Sequence, residues 1–464
     1  MSFKKIFLRS LFVILVAAIS YGVYYASQAF PILAGYGAKN LCSCVALGGR
    51  QPEDVINNEL GGGMLPLGTF TFNPEDSSAT GSVFGFAKRK AIYRKGLGCT
   101  LLNEISENEL RGQKFNLTEP PSINQDTVNW PMGNLIRDTL LTGLDYEKIN
   151  KTVGDAFAEP GEEKVRRTRA IIVVYDGQII AEKYANEFNS NSRHLGWSMA
   201  KSVTNALIGL LVKEGKISLN DKAPIEEWQK DNRSAITMDN LMQASSGLKW
   251  EENYAGPSDA TNMLFKKSDA GIFASHAPLN KEPGTDFYYS SGTTNILSWI
   301  VRNKVGEEAY HSFPHKNLFY KIGMNSMVME PDAGGTFVGS SYAFATARDW
   351  ARFGLLYLND GIWGSERLLP EGWVEYSSTP AIGAERGEYG AQFWLNAGAP
   401  GNPENRMYPN VPADLFWADG YEGQNVFIIP SKNLVVVKLS QSSGNYLDDN
   451  KFLSEIISAL PEGN

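Results

Sequence analysis

The longest apolar stretch of the chain lies at its N-terminus. No charged residue occurs from Ser10 to Ala38, and the densest part runs from Leu11 to Ala26 behind the cations Lys4, Lys5 and Arg9. This run is longer than an ordinary signal-peptide core and slightly short for a comfortable membrane span. Ser27-Gln28-Ala29 offers small residues at the spacing of a cleavage site. Residues 1–38 therefore read as a signal peptide or membrane anchor, with the anchor preferred. Both readings keep the positive flank in the cytoplasm and export the rest, giving a periplasmic protein, anchored through residues 10–33 if uncleaved. Residues 39–150 show no strong period, a glycine run at 61–63 and a Pro-Pro pair at 120–121. They read as a modest N-terminal accessory region.

Beyond about residue 165 the pattern becomes regular. Ala170 to Tyr175 and Gln178 to Tyr184 are strand-like runs separated by Asp176-Gly177, a strong hairpin signal. A second hairpin is predicted from Asn425 to Ile429 and Leu434 to Leu439, turning at residues 430–433. A helical pattern from Leu447 to Leu460 stops at Pro461. Strands at both ends with a mostly helical middle predict an α+β fold, an antiparallel sheet flanked by helices with a helical insertion, over a domain spanning 151–464.

Composition narrows the partners. A net charge of −8 and a pI near 5.3 argue against a nucleic-acid partner, which would want a basic face. Three cysteines, all before residue 100, allow one disulfide in an exported protein, from Cys99 to either Cys42 or Cys44, with one thiol left over. The expected partner is a small-molecule or peptide substrate. Oligomeric state is not legible.

Candidate chemistry emerges largely by elimination. The four histidines, His194, His276, His311 and His315, form no His-x-His or His-Glu-x-x-His, which argues against a zinc hydrolase. No Gly-x-Ser-x-Gly elbow and no phosphate-cradling loop occurs. Ser-x-x-Lys occurs three times, at Ser2, Ser198 and Ser246, so the tetrapeptide alone carries no weight. Context favours Ser198. It opens a largely apolar helical run, Met199 to Val212, stopped by Gly215, and residues three apart share a helix face. Lys201 is thereby placed against the Ser198 hydroxyl, burial lowers its pKa, and the helix-start N–H of Ser198 is available to an oxyanion.

About 90 residues downstream stands Pro283-Gly284-Thr285-Asp286-Phe287-Tyr288-Tyr289-Ser290-Ser291-Gly292. With this motif the sequence resembles the β-lactamase-like serine hydrolases: class C β-lactamases, D-alanyl-D-alanine carboxypeptidases, their esterase relatives and 6-aminohexanoate-dimer hydrolases. The resemblance extends over residues 165 to 460, through Gly215–Asp221, the Leu241–Leu248 loop, Phe344–Gly361 and Gly420–Ser440. It implies an acyl-enzyme on Ser198, activated by Lys201, and no cofactor or metal. Tyr289, its pKa depressed by Lys201, is implied to shuttle the proton to the leaving group, and Ser291 to orient Lys201 or the substrate. The third motif falls on Tyr421-Glu422-Gly423, with Gly423 leaving room for substrate and the Gln424 N–H joining that of Ser198 as the oxyanion hole. Where the family carries Lys or His, Tyr421 supplies no cation for a substrate carboxylate. This favours the amidase and esterase branch over a β-lactamase or carboxypeptidase. A membrane-anchored sensor that acylates without turnover is the alternative of another class. Substrate choice rests on the loops 251–282 and 379–414.

Overall fold

The computed structural model describes residues 3–136, 140–161, 164–442, 444 and 446–461; Ser2 of the first tetrapeptide lies outside them. Helix α1 spans Phe3–Ala46. Its first part is exposed and includes an 18-residue window of mean hydropathy 2.2. From Ile32 to Cys44 it is largely buried in the protein, so the helix continues well past residue 38.

That buried half packs on a four-stranded antiparallel meander, β1 (Gly68–Asn73), β2 (Ser78–Val83), β3 (Phe86–Arg94) and β4 (Gly98–Leu101). The approach is close. A Cβ on Gly81 would lie 2.3 Å from the Ala34 carbonyl oxygen, so only glycine lets the strand meet the helix backbone there. A Cys42–Cys99 disulfide joins α1 to β4 and leaves Cys44 as a buried free thiol, within the pairings expected. Lys39 forms a buried ion pair with Glu330, whose carboxylate also accepts from Ser43 Oγ (2.9 Å) and the Cys99 N–H (2.6 Å).

The main sheet has six antiparallel strands. They are β5 (Thr168–Tyr175), β6 (Gln178–Tyr184), β7 (Trp394–Leu395), β8 (Phe416–Gly420), β9 (Gln424–Ile429) and β10 (Leu434–Ser440), in the spatial order β7-β8-β9-β10-β5-β6. The first and last long stretches of the sheet-bearing segment therefore meet inside the sheet, where β10 pairs with β5. Both faces are covered. On β5, Ala170, Ile172 and Val174 enter the large core with helices α2 (Met199–Lys213), α3 (Ser291–Val305) and α4 (Ala347–Leu358). Ile171 and Val173 enter a second core under helix Tyr146–Asp155 and the C-terminal helix α5 (Asp449–Ile457). The two-residue period of a strand thus serves two apolar layers, which is why residues 170–174 of β5 and 434–437 of β10 read as continuous hydrophobic runs. The expected α+β architecture is the one observed.

Candidate functional site

Ser198 sits at the mouth of α2, immediately after Trp197, whose φ of +47° is costly for a bulky residue. The surroundings hold that turn in place. The Gly196 N–H donates to the Ala343 carbonyl (2.8 Å), and the Met199 N–H donates back to Gly196 (3.1 Å). The Trp197 indole stacks on Tyr36 of α1 and meets the Tyr421 ring edge-on, with centroids 6.1 and 5.8 Å apart.

Lys201 lies one turn into α2 and is 2% exposed. Its ammonium nitrogen is 3.1 Å from Ser198 Oγ, 2.9 Å from Ser291 Oγ and 3.1 Å from the Ser340 carbonyl oxygen. Burial lowers its pKa to about 8, the nearby negative charges of Glu252 and Asp419 opposing the shift without cancelling it. Ser291, the first residue of α3, has no exposed surface. Its hydroxyl donates to Glu252 Oε1 (2.5 Å) and its N–H to Glu252 Oε2 (2.9 Å). The Trp250 indole N–H (2.6 Å) and the Tyr254 hydroxyl (2.8 Å) also donate to this carboxylate, and Tyr254 reaches Ser291 Oγ at 3.0 Å. A carboxylate at the start of α3 faces its unpaired N–H groups and the positive end of the helix dipole.

Tyr289 presents its ring to Lys201, with the amine 4.7 Å from the centroid, and its hydroxyl is turned towards Ser198. It is walled by Tyr389 and Trp394, with centroids 5.8 and 5.4 Å away. One expectation is reversed here. Instead of being depressed by Lys201, the Tyr289 pKa is raised well above its ordinary value, first by burial and then by Tyr389. A buried phenolate loses more hydration than the weakly charged neighbourhood returns.

The end of β8 presses on the same turn. A Cβ on Gly420 would lie 2.1 Å from the Gly196 carbonyl oxygen, so the β8–β9 connection approaches within two residues of Ser198. Tyr421 sits on the rim, exposed, with its ring on Trp197. Glu422 and Gly423 take the left-handed conformations of the tight turn, at φ +66° and +83°. Buried Gln424 opens β9. Its amide donates to the carbonyl oxygens of Ser440 and Tyr421, which fixes the strand end. A cavity of about 410 Å³ adjoins this turn, lined by Trp394, Asp419, Tyr421 and Gly423 among others. Its cations are engaged elsewhere, Lys438 with Asp449 and Arg166 with the carbonyls of Tyr446 and Ala158.

Six of the seven residues singled out in the sequence are thus tied to one place: Ser198, Lys201, Tyr289 and Ser291 by direct contact, Tyr421 and Gly423 through the adjoining turn. Gln424 opens β9 just after that turn, with its side-chain amide on the Ser440 and Tyr421 carbonyls. Sequence reasoning missed Glu252, Tyr254 and the Ser340 carbonyl. The only available signal was the loop beginning at 251, recognised as bordering the site but without a shape. Among the described residues no group of acidic, His and Cys side chains suits a metal ion.

Comparison with known proteins bears on the family and the fold. The pattern of the β-lactamase family matches residues 153–455. The 6-aminohexanoate-dimer hydrolase of Paenarthrobacter ureafaciens is 25% identical over 302 residues, covering 59% of this chain and 72% of that protein. A provisionally named 6-aminohexanoate-dimer hydrolase structure from Bacillus anthracis superposes with a TM-score of 0.53 at 25% identity, covering 64% of this chain and 81% of that one. For the fold alone, a provisionally named β-lactamase from Bacteroides dorei DSM 17855 gives a TM-score of 0.54 at 16% identity, over 68% and 99% of the two chains. With its sheet, its helices and about two-thirds of its length accounted for in this way, the chain belongs to the β-lactamase family of hydrolases.

Proposed function

We propose that this protein is an exported, membrane-anchored serine hydrolase that cleaves amide or ester bonds of small molecules or peptides through an acyl-enzyme on Ser198. The observation that carries the reading is the hydrogen-bond set of Lys201. A neutral amine has two N–H donors and one lone pair. The Ser340 carbonyl can only accept, and Ser291 Oγ, having given its hydrogen to Glu252, also accepts. Both N–H bonds of a neutral Lys201 are then used, which leaves its lone pair for the Ser198 hydroxyl 3.1 Å away. With a pKa of about 8, roughly one lysine in ten is neutral at pH 7.

In the proposed sequence, Ser198 Oγ bonds to the substrate carbonyl carbon as its proton passes to Lys201. The N–H groups of Ser198 and Gln424 receive the oxyanion. Tyr289, kept protonated by burial, delivers its proton to the leaving amine or alkoxide and is reprotonated from Lys201. Water then attacks the ester with the same groups working in reverse, and the acid leaves.

The 25% identity to a 6-aminohexanoate-dimer hydrolase supports linear amides as one substrate class. Tyr421 itself carries no charge to hold a carboxylate, and the cations of the adjoining cavity, Lys438 and Arg166, are engaged elsewhere, which weighs against β-lactams and D-alanyl peptides. A fluorophosphonate probe and a panel of p-nitrophenyl esters, linear amide dimers and nitrocefin test both parts, with Ser198→Ala as control. Labelling and ester turnover should vanish in Ser198→Ala. Labelling that persists overturns the nucleophile, and rapid nitrocefin turnover overturns the reading of Tyr421. Stable labelling with no turnover of any panel member favours the sensor.

A further inference from the structure

The β2–β3 hairpin ends in a turn whose sequence is at odds with its shape. Val83 pairs with Phe86, leaving Phe84 and Gly85 as the two turn residues, at φ +50° and +78°. Such a turn favours Asn, Asp or Gly at its first position, and a bulky aromatic there is strained. No compensating burial is present: Phe84 is 62% and Phe86 70% exposed. An exposed ring held in an unfavourable backbone conformation points to something outside the protein that the ring touches.

Its position indicates what. The Phe84 ring packs edge-on against Phe30 of α1, centroids 5.9 Å apart. Phe30 follows the densest apolar stretch, which ends at Ala26, by four residues, about 6 Å along the helix axis. Tyr21, Tyr24 and Tyr25, all exposed, mark the same end of the stretch, as aromatic belts do at membrane interfaces. The hairpin tip therefore stands where α1 enters the fold, at the height of lipid headgroups. Its charge also fits. From Gly81 to Lys90 there is no acidic residue, Lys88 is exposed, Arg89 follows it, and Lys266 reaches α1 through Gln28 (3.0 Å). Cations beside apolar rings suit an anionic lipid surface.

We infer that Phe84 and Phe86 form a second membrane contact, dipping into the headgroup–acyl boundary of the bilayer that α1 crosses. The occupant is a phospholipid surface containing anionic lipid. This inference rests on α1 being an anchor, and the test separates the two. The full chain, in nanodiscs of phosphatidylethanolamine and phosphatidylglycerol, carries one environment-sensitive fluorophore at a time on Ile14→Cys, Phe86→Cys, Lys88→Cys or Glu147→Cys. Quenching is measured with a lipid bearing a nitroxide near the headgroup end of its acyl chain.

Labels at positions 14, 86 and 88 should be quenched by about twofold or more and the solvent reference at 147 not at all. Phe84→Asp with Phe86→Asp should abolish quenching at 88 while sparing 14. Quenching at 14 without quenching at 86 or 88 overturns the hairpin contact and leaves the anchor standing. No quenching at 14 overturns both. A label at 86 that is shielded from water yet untouched by the lipid quencher shows a protein, or a second copy of this chain, on the hairpin instead, and also overturns the proposal.

Discussion

Replacing Glu252 by Gln tests the electrostatics of the site through a displacement of the pH profile. Glu252 lies two hydrogen bonds from Lys201, through Ser291 at 2.9 and 2.5 Å, so the charges are no farther apart than about 5.5 Å. At an effective dielectric near 20 such a pair interacts by ~3 kcal/mol, equivalent to ~2 pK units. Glu252 is partly exposed, and solvent screening reduces the expected shift to about 1 unit. The sign follows from the two influences on Lys201. Burial lowers its pKa to about 8, and Glu252 holds it up. Removing the negative charge lowers it further, so a larger fraction of the amine is neutral at acidic pH. The plateau should move the other way. Gln offers an N–H₂ group where four donors converge, Ser291 loses its orientation, and the maximal rate falls by roughly tenfold. The assay is kcat/KM on a p-nitrophenyl ester from pH 5.5 to 9.5. Wild type should rise to a plateau with a midpoint near 8, and Glu252→Gln should plateau lower with its midpoint displaced by about 1 unit to lower pH. A midpoint that stays in place or moves upward would refute the coupling of Glu252 to the proton acceptor.

Three further outcomes are expected. Tyr289→Phe should lower kcat by ~10²–10⁴, and because burial keeps the Tyr289 phenol protonated, wild type should show no falling alkaline limb across the same profile. Gly420→Ala puts a methyl 2.1 Å from the Gly196 carbonyl; the forced shift should cost ~1–3 kcal/mol by urea denaturation and most of the activity, and an unperturbed variant would show that β8 need not approach the nucleophile turn so closely. Cys42→Ser opens a loop of 57 residues' separation and should lower stability by ~4 kcal/mol on the chain-entropy account, seen as a fall in the denaturant midpoint; an unchanged midpoint would mean that packing and the Lys39–Glu330 pair hold α1 without the cross-link.

Some of this molecule was open to reading in one dimension. The Asp176-Gly177 turn and the 430–433 turn carry their own chemistry, so both hairpins fell within a residue or two of their observed limits. The helix that opens after Ser198 was legible because its boundaries, Ser198 and Gly215, are local. The meander of 68–101 was not. Ser78-Ala79-Thr80-Gly81-Ser82 has neither alternation nor β-branched weight; it becomes a strand because α1 covers it. The extent of α1 was hidden for a related reason. Lys39 looks like the end of an apolar segment, but its charge is met by Glu330, 291 residues away. Separation in sequence also hid Glu252, a loop residue whose meaning depends on Ser291 and Lys201 coming from two helices. The Tyr289 expectation failed because proximity to a cation was weighed without the hydration lost on burial.

The unbroken course of α1 bears on where the enzyme can work. Forty-four residues in one helix make a rod about 66 Å long, and no flexible tether separates its apolar end from the half clasped by the meander. With that end seated in a bilayer, the domain can drift sideways but neither rise nor lean away freely. Ser198, the proposed nucleophile, would then patrol a thin layer at one altitude, and compounds partitioning to that layer would meet it far more often than their bulk concentration suggests.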